Sequence, residues 1–101
     1  MDLKALTAEM KQFVRSKGWF EAESKRPQTP KNLAISLALE AGEILEHFQW
    51  QEEIKDKNEL ASELADVGLY LLELADVAEI DLEEAMLKKL AFNQSREWDT
   101  E

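Results

Sequence analysis

At 101 residues the chain is one domain with room for only a modest core, about 60–65% of its unfolded surface being buried on folding. With 22 acidic against 12 basic residues, its net charge of −10 excludes a general grip on nucleic acid or on an anionic membrane surface. The absence of cysteine excludes disulfides, thiolate zinc sites and a cysteine nucleophile.

Three glycines, two prolines and few β-branched runs predict an all-α fold, a four-helix bundle. The first helix is expected over residues 2–17, with Leu3, Leu6, Met10, Phe13 and Val14 on one face and Gly18 as its stop. A loop, "WFEAESKRPQTP", follows and holds both prolines. Thr29-Pro30 reads as an N-cap followed by proline at the first helical position, opening a helix over about residues 30–50. The charged "QEEIKDKN" connects it to a third helix over 59–78, with Asn58 as the expected N-cap. Asp81 and Glu84 form a capping-box-like start for a fourth helix over 82–97, and the terminal "REWDTE" is expected to fray. The N-terminus has no apolar h-region, and no segment approaches the roughly 18 apolar residues of a membrane span, so a cytoplasmic protein is expected.

At 100° per residue, Ser36, Glu40, Glu43 and His47 fall on one narrow stripe of the second helix. Leu33, Leu37, Ile44 and Phe48 flank it on one side, Ile35, Ala38 and Leu39 on the other. Glu46, Gln49 and Glu53 form a separate edge that faces solvent. The third helix repeats the pattern: Glu59, Glu63, Asp66, Tyr70 and Glu73 make a polar stripe between leucine-rich flanks. Helices apolar nearly all round are normally buried, and buried carboxylates without partners are costly. A short connection makes the two helices antiparallel neighbours, so Glu40, Glu43, Glu63 and Asp66 should converge. Hard oxygen ligands of this kind suit Mg²⁺ or Mn²⁺. A lone E-x-x-E on a helix is usually just a solvated face, and that reading stands beside the metal site. A redox di-iron site is disfavoured, because His47, the only histidine, sits at the wrong offset for Glu-x-x-His.

"ALEAGEILEHFQW" followed by "ELADVGLYLLELAD" resembles the MazG-type all-α nucleoside triphosphate pyrophosphohydrolases, whose signature is E-x-x-E followed by E-x-x-D. Glu40/Glu43 and Glu63/Asp66 match those positions, and "EHFQW" brings the chain nearest to short members similar to dCTP pyrophosphatases. The likeness spans residues 19–96; "TPKNLAISLALE" supports it, and Lys89 and Asn93 match a Lys-x-x-x-Asn element. After Asn93 the chain departs, with Arg96-Glu97-Trp98 where many relatives have Lys-Tyr-Pro.

The resemblance implies hydrolysis of a nucleoside triphosphate between its α and β phosphates, with Mg²⁺ in the site and a homodimer or homotetramer as the working form. The residues show why such chemistry needs metal: a triphosphate and four carboxylates repel unless cations lie between them. Metals on Glu40, Glu43, Glu63 and Asp66 would polarise the phosphorus and orient water, with Glu43 or Glu63 accepting its proton. Lys31, Lys89 and Arg96 are candidate phosphate partners, with Asn93 as a neutral one. For the base, Trp19, Phe20, Phe48 and Trp50 offer aromatic faces; Trp19 and Trp50 are placed to reach the pocket mouth, Phe48 belongs with the core or an interface, and Trp98 is given no role. His47 is expected either to bind nucleotide or to pair with Glu43, and Tyr70 to orient Asp66 or Glu63 or to pack with a satisfied hydroxyl. Two other readings are a phosphoribosyl-ATP pyrophosphohydrolase and a non-catalytic module whose acidic stripe binds a basic partner.

Overall fold

The computed structural model describes residues 1–97. They form four α-helices: α1 (Leu3–Ser16), α2 (Pro30–Glu46), α3 (Lys57–Val77) and α4 (Leu82–Ser95), with no strand among the described residues. The all-α expectation holds. The expected fraying of residues 96–101 concerns mostly residues outside those described, as does Trp98.

Each helix starts where a short polar side chain satisfies a free backbone N–H. Asp2 accepts from the Ala5 N–H at 2.8 Å, and Asp81 accepts from Glu84 N–H at 3.1 Å. Thr29 accepts from Asn32 N–H at 3.2 Å, with Pro30 at the first helical position as expected. The start of α3 corrects the sequence reading: the cap is Asp56, accepting from Glu59 N–H at 3.0 Å, and not Asn58, which lies within the first turn. Asp56-x-x-Glu59 has capping-box spacing, which Asn58 lacks.

The ends follow from backbone geometry. At Gly18 the chain turns left-handed (φ 72°), and the N–H groups of Gly18 and Trp19 close onto the carbonyls of Arg15 and Val14. This is a Schellman closure, in which a left-handed residue lets the last turn satisfy its own carbonyls. The end of α3 repeats it with Glu79 (φ 60°) in the left-handed position, Ile80 N–H reaching Ala75 O at 2.8 Å. α2 stops at Glu46 and not near residue 50, because His47 and Phe48 bond back three residues, to Ile44 and Leu45, tightening the chain out of the α-helix. α4 likewise stops at Ser95, two residues short of the expected 97.

α2 and α3 form the principal packed pair, and α1 lies against α3. They run antiparallel: His47 at the end of α2 meets Glu63 early in α3, while Leu33 near the start of α2 shares a cavity with Glu73 late in α3. The core is small, joining Met10 and Val14 of α1 to Leu72 of α3, with Leu3, Trp19 and Leu82 against it.

The expectation that α2 and α3 are buried nearly all round fails for the single chain. Leu33 is buried and Leu37, Ile44 and Phe48 are half-buried, but on the opposite flank Leu39 is 67% and Leu45 71% exposed. α4 buries no residue at all and leaves Met86, Leu87, Leu90 and Phe92 exposed. The radius of gyration is 16.4 Å, against about 13 Å for a compact domain of this length.

Candidate active site

The antiparallel pairing of α2 and α3 sets their two polar stripes against each other. The carboxyl of Glu40 shows the result. Partial burial raises its pKa first; the charges of Glu43 and Asp66, a hydrogen bond with Glu43 and the charge of Glu63 raise it further. The sequence-predicted four therefore lie within electrostatic reach of one side chain. Glu40 and Glu63 are half-buried, whereas Glu43 and Asp66 are exposed in the single chain, which corrects the expectation that Glu43 is buried with Glu40.

His47 does not make the expected pair with Glu43. Its Nε2 lies 2.5 Å from Oε2 of Glu63, so it pairs across to α3 and not with Glu43 along its own helix. Glu59, one turn before Glu63, joins them, and potential ligand atoms of His47, Glu59 and Glu63 lie within 4.8 Å of one another. Imidazole and carboxylate donors this close fit a divalent cation, and the mutual repulsion around Glu40 is the electrostatic strain that a cation relieves.

The acidic cluster divides two concavities. On one side is a cleft walled by Glu43, Glu46, His47, Glu59 and Glu63, with Lys55 at its edge. On the other is a cavity of about 500 Å³ that begins at Asp66 and Ser36 and runs over Tyr70 to Trp19. Met10, Val14 and Leu33 contribute its apolar wall, and Arg26, Gln28 and Asn32 come from the loop and the first turn of α2. The loop is shaped by its own bonds: Asn32 Nδ2 donates to Pro27 O at 3.0 Å and Gln28 Nε2 to Arg26 O at 2.6 Å. Trp19 stands edge-on to Phe13, ring centroids 5.6 Å apart, and carries the Arg26 guanidinium 5.4 Å from its own centroid.

Of the sequence-predicted binding residues, Trp19 and Tyr70 line this cavity. His47 walls the acidic cleft, and the others line neither. Lys31 is exposed on the first turn of α2, and Trp50 is 89% exposed. Lys89 points its Nζ at the Phe92 ring, 5.0 Å from the centroid, while Asn93 and Arg96 lie at the end of α4. Phe20 is exposed and Phe48 half-buried; neither lines the cavity or the cleft. Sequence reasoning passed over Arg26, Asn32, Glu59 and Glu73. For Glu59 and Glu73 the signal was present, since both lie on the α3 stripe; for the loop residues there was none.

Comparison with known proteins places this geometry. Residues 35–100 match the MazG-like family. The dCTP pyrophosphatase 1 proteins of Mus musculus and Homo sapiens are each 32% identical over 104 residues, an alignment covering 94% of this chain and 56% of theirs. The chain thus spans just over half the length of these curated relatives. A crystal structure of a pyrophosphatase from Archaeoglobus fulgidus DSM 4304 superposes with a TM-score of 0.77 at 38% identity, covering 91% of this chain and 88% of that one. The family match covers both carboxylate pairs, most of α2 and all of α3, and the chain belongs to the MazG-like family.

Proposed function

We propose that the protein is a metal-dependent nucleoside triphosphate pyrophosphohydrolase that converts a deoxynucleoside triphosphate to its monophosphate and pyrophosphate. The observation that carries this reading is that Glu43, Glu63 and Asp66 all lie close enough to Glu40 to raise its pKa, beside an aromatic-walled cavity. The similarity to dCTP pyrophosphatases makes deoxycytidine triphosphate the substrate we infer.

Glu40, Glu43, Glu63 and Asp66 would hold Mg²⁺, or Mn²⁺ in its place, with His47 and Glu59 beside them. Bound there, the metal supplies positive charge to the triphosphate oxygens and lowers the pKa of water. Glu43 and Glu63 are the candidate bases. One of them takes a proton from the attacking water as its oxygen bonds to the α-phosphorus and the bond to the α–β bridging oxygen breaks, releasing pyrophosphate. The 2.5 Å contact from His47 fixes the orientation of Glu63 for this role or for ligation. Trp19 offers a stacking face for the base, worth about 1–3 kcal/mol, and Tyr70 flanks the path from Asp66 to it.

The exposed apolar flanks of α2 and α4 support a homodimer or homotetramer. Lys31, Trp50, Lys89, Asn93 and Arg96 then act on the triphosphate or base in that assembly, where α4 is covered. The cellular role in this reading is cytoplasmic clearance of excess or non-standard nucleotides. The test is pyrophosphate release from a panel of canonical and modified nucleoside triphosphates with and without Mg²⁺. Metal-dependent release with a monophosphate product is expected; no release from any of them by folded protein overturns the reading in favour of an interaction module.

A further inference from the structure

The α3 stripe that carries Glu63 and Asp66 continues to Glu73, which the chemistry above does not use. Glu73 is only 5% exposed, and its Oε2 has no hydrogen-bond partner among the described residues. It shares the wall of the cavity of about 500 Å³ with Trp19, Asn32 and Tyr70. Burial, and then the charge of Asp76, raise its pKa. Lys25 and Arg26 line the same cavity without an ion pair to Glu73, and Lys11 Nζ pairs with Asp76 at 3.5 Å.

An orphaned buried oxygen is costly, and Met10, Val14, Leu33 and Leu69 on the same wall show that an apolar side chain would suit this position. The chain therefore holds an acid where packing favours a leucine. An N–H donor entering the cavity would remove that cost. Asp66 and Glu73 are seven residues apart, about 10 Å along the helix axis. A nucleotide spans that interval from its 5′ phosphate to the far edge of its base, with Tyr70 alongside the sugar and Trp19 available to the ring.

Resting on the nucleotide reading above, we propose that Glu73 is the specificity residue of the cavity, accepting a hydrogen bond from the 4-amino group of a cytosine base. A carboxyl oxygen accepts from that N–H in either protonation state, and a protonated carboxyl also donates its O–H to the ring N3. Uracil presents a carbonyl oxygen at the same place, so lone pairs face lone pairs unless the carboxyl is protonated and turned. Sites built to bond a substrate N–H discriminate strongly against the analogue that lacks it.

The experiment measures binding of the α,β-imido analogues of dCTP and dUTP with Mg²⁺ by calorimetry, for the wild type, Glu73→Leu and Glu73→Gln. Pyrophosphate release from dCTP by the wild type is followed in parallel. The wild type should bind the cytosine analogue about 30-fold more tightly than the uracil one. Glu73→Leu, an apolar fit in a buried wall, should bring the ratio to within about threefold by weakening the cytosine analogue alone. Glu73→Gln keeps an acceptor oxygen and should hold the cytosine analogue, but its amide can turn its NH2 to the uracil carbonyl, so the uracil analogue should bind more tightly than to the wild type. An unchanged ratio in Glu73→Leu, equal weakening of both analogues, or a wild type that binds neither overturns the assignment. Selective binding without any pyrophosphate release would sink the hydrolase reading and leave the role of Glu73 standing.

Discussion

Asp66 and Glu73 lie on the same stripe of α3, yet their carboxylates meet opposite conditions. Asp66 is exposed among like charges, where a cation can reach it. Replacing it with asparagine removes a proposed metal ligand and one negative charge from a crowded group. Asp66→Asn should lower turnover by about a hundredfold or more while helix content is unchanged, and metal-free protein should be no less stable in thermal melts. Full activity in that variant would refute the metal assignment. Glu73, buried and raised in pKa, penalises folding once its unfolded form ionises. Below the ordinary glutamate range it is neutral folded or unfolded and costs nothing as a charge. As pH rises through that range towards its raised folded value the unfolded state loses its proton first, so stability falls, and the loss is complete above the folded pKa. Glu73→Gln should therefore be more stable than wild type at pH 8, with the gap closing as pH falls below the glutamate range. Denaturant midpoints measured across pH check this; a gap that widens in acid would contradict it.

At the level of the elements, the helix ends are set by local chemistry, and one of them is suboptimal. Glu79 holds a left-handed conformation that costs most L-residues about 1 kcal/mol, whereas Gly18 does the same job at the end of α1 without a Cβ. Glu79→Gly should raise stability by about 0.5–1 kcal/mol, a few degrees in melting temperature for a chain of this size. A lower melting temperature would mean that the Glu79 side chain makes a contact worth more than the strain. The same local logic explains why the starts of α2 and α4 were readable in advance, from Thr29 and Asp81 ahead of an apolar run, whereas at α1 residue 2 proves to be the cap and not the first helical residue. The start of α3 misled because Asp56 and Asn58 are both competent caps, and only the spacing to Glu59 separates them. The end of α2 was unreadable because "EHFQW" carries no glycine or proline to mark it.

The whole molecule presents more apolar surface than one chain covers. Leu39 and Leu45 on α2 and Leu87 and Leu90 on α4 stand in solvent, in a chain whose radius of gyration exceeds that of a compact domain. Sedimentation should show a dimer or tetramer at micromolar concentration, with a melting temperature that rises with protein concentration. A charge at Leu39 (Leu39→Lys) should dissociate it if that flank is the interface. A concentration-independent monomer would show that these faces are solvated, and the proposed contributions of Lys89, Asn93, Arg96 and Trp50 would lose their basis.

From the residues alone came the helical class, the caps of α2 and α4, and the placing of Glu40, Glu43, Glu63 and Asp66 on polar stripes of neighbouring helices. These follow from interactions a few residues long and from a 3.6-residue period shared by two neighbouring helices. It took the packed helices to turn His47 to Glu63, to put Trp19 and Tyr70 on one cavity, and to bury Glu73, alone of its stripe, with an unpartnered Oε2. Periodicity says which side chains share a face. It does not say which end of that face lies under α1 and which stays open, because that depends on contacts between residues distant in the chain.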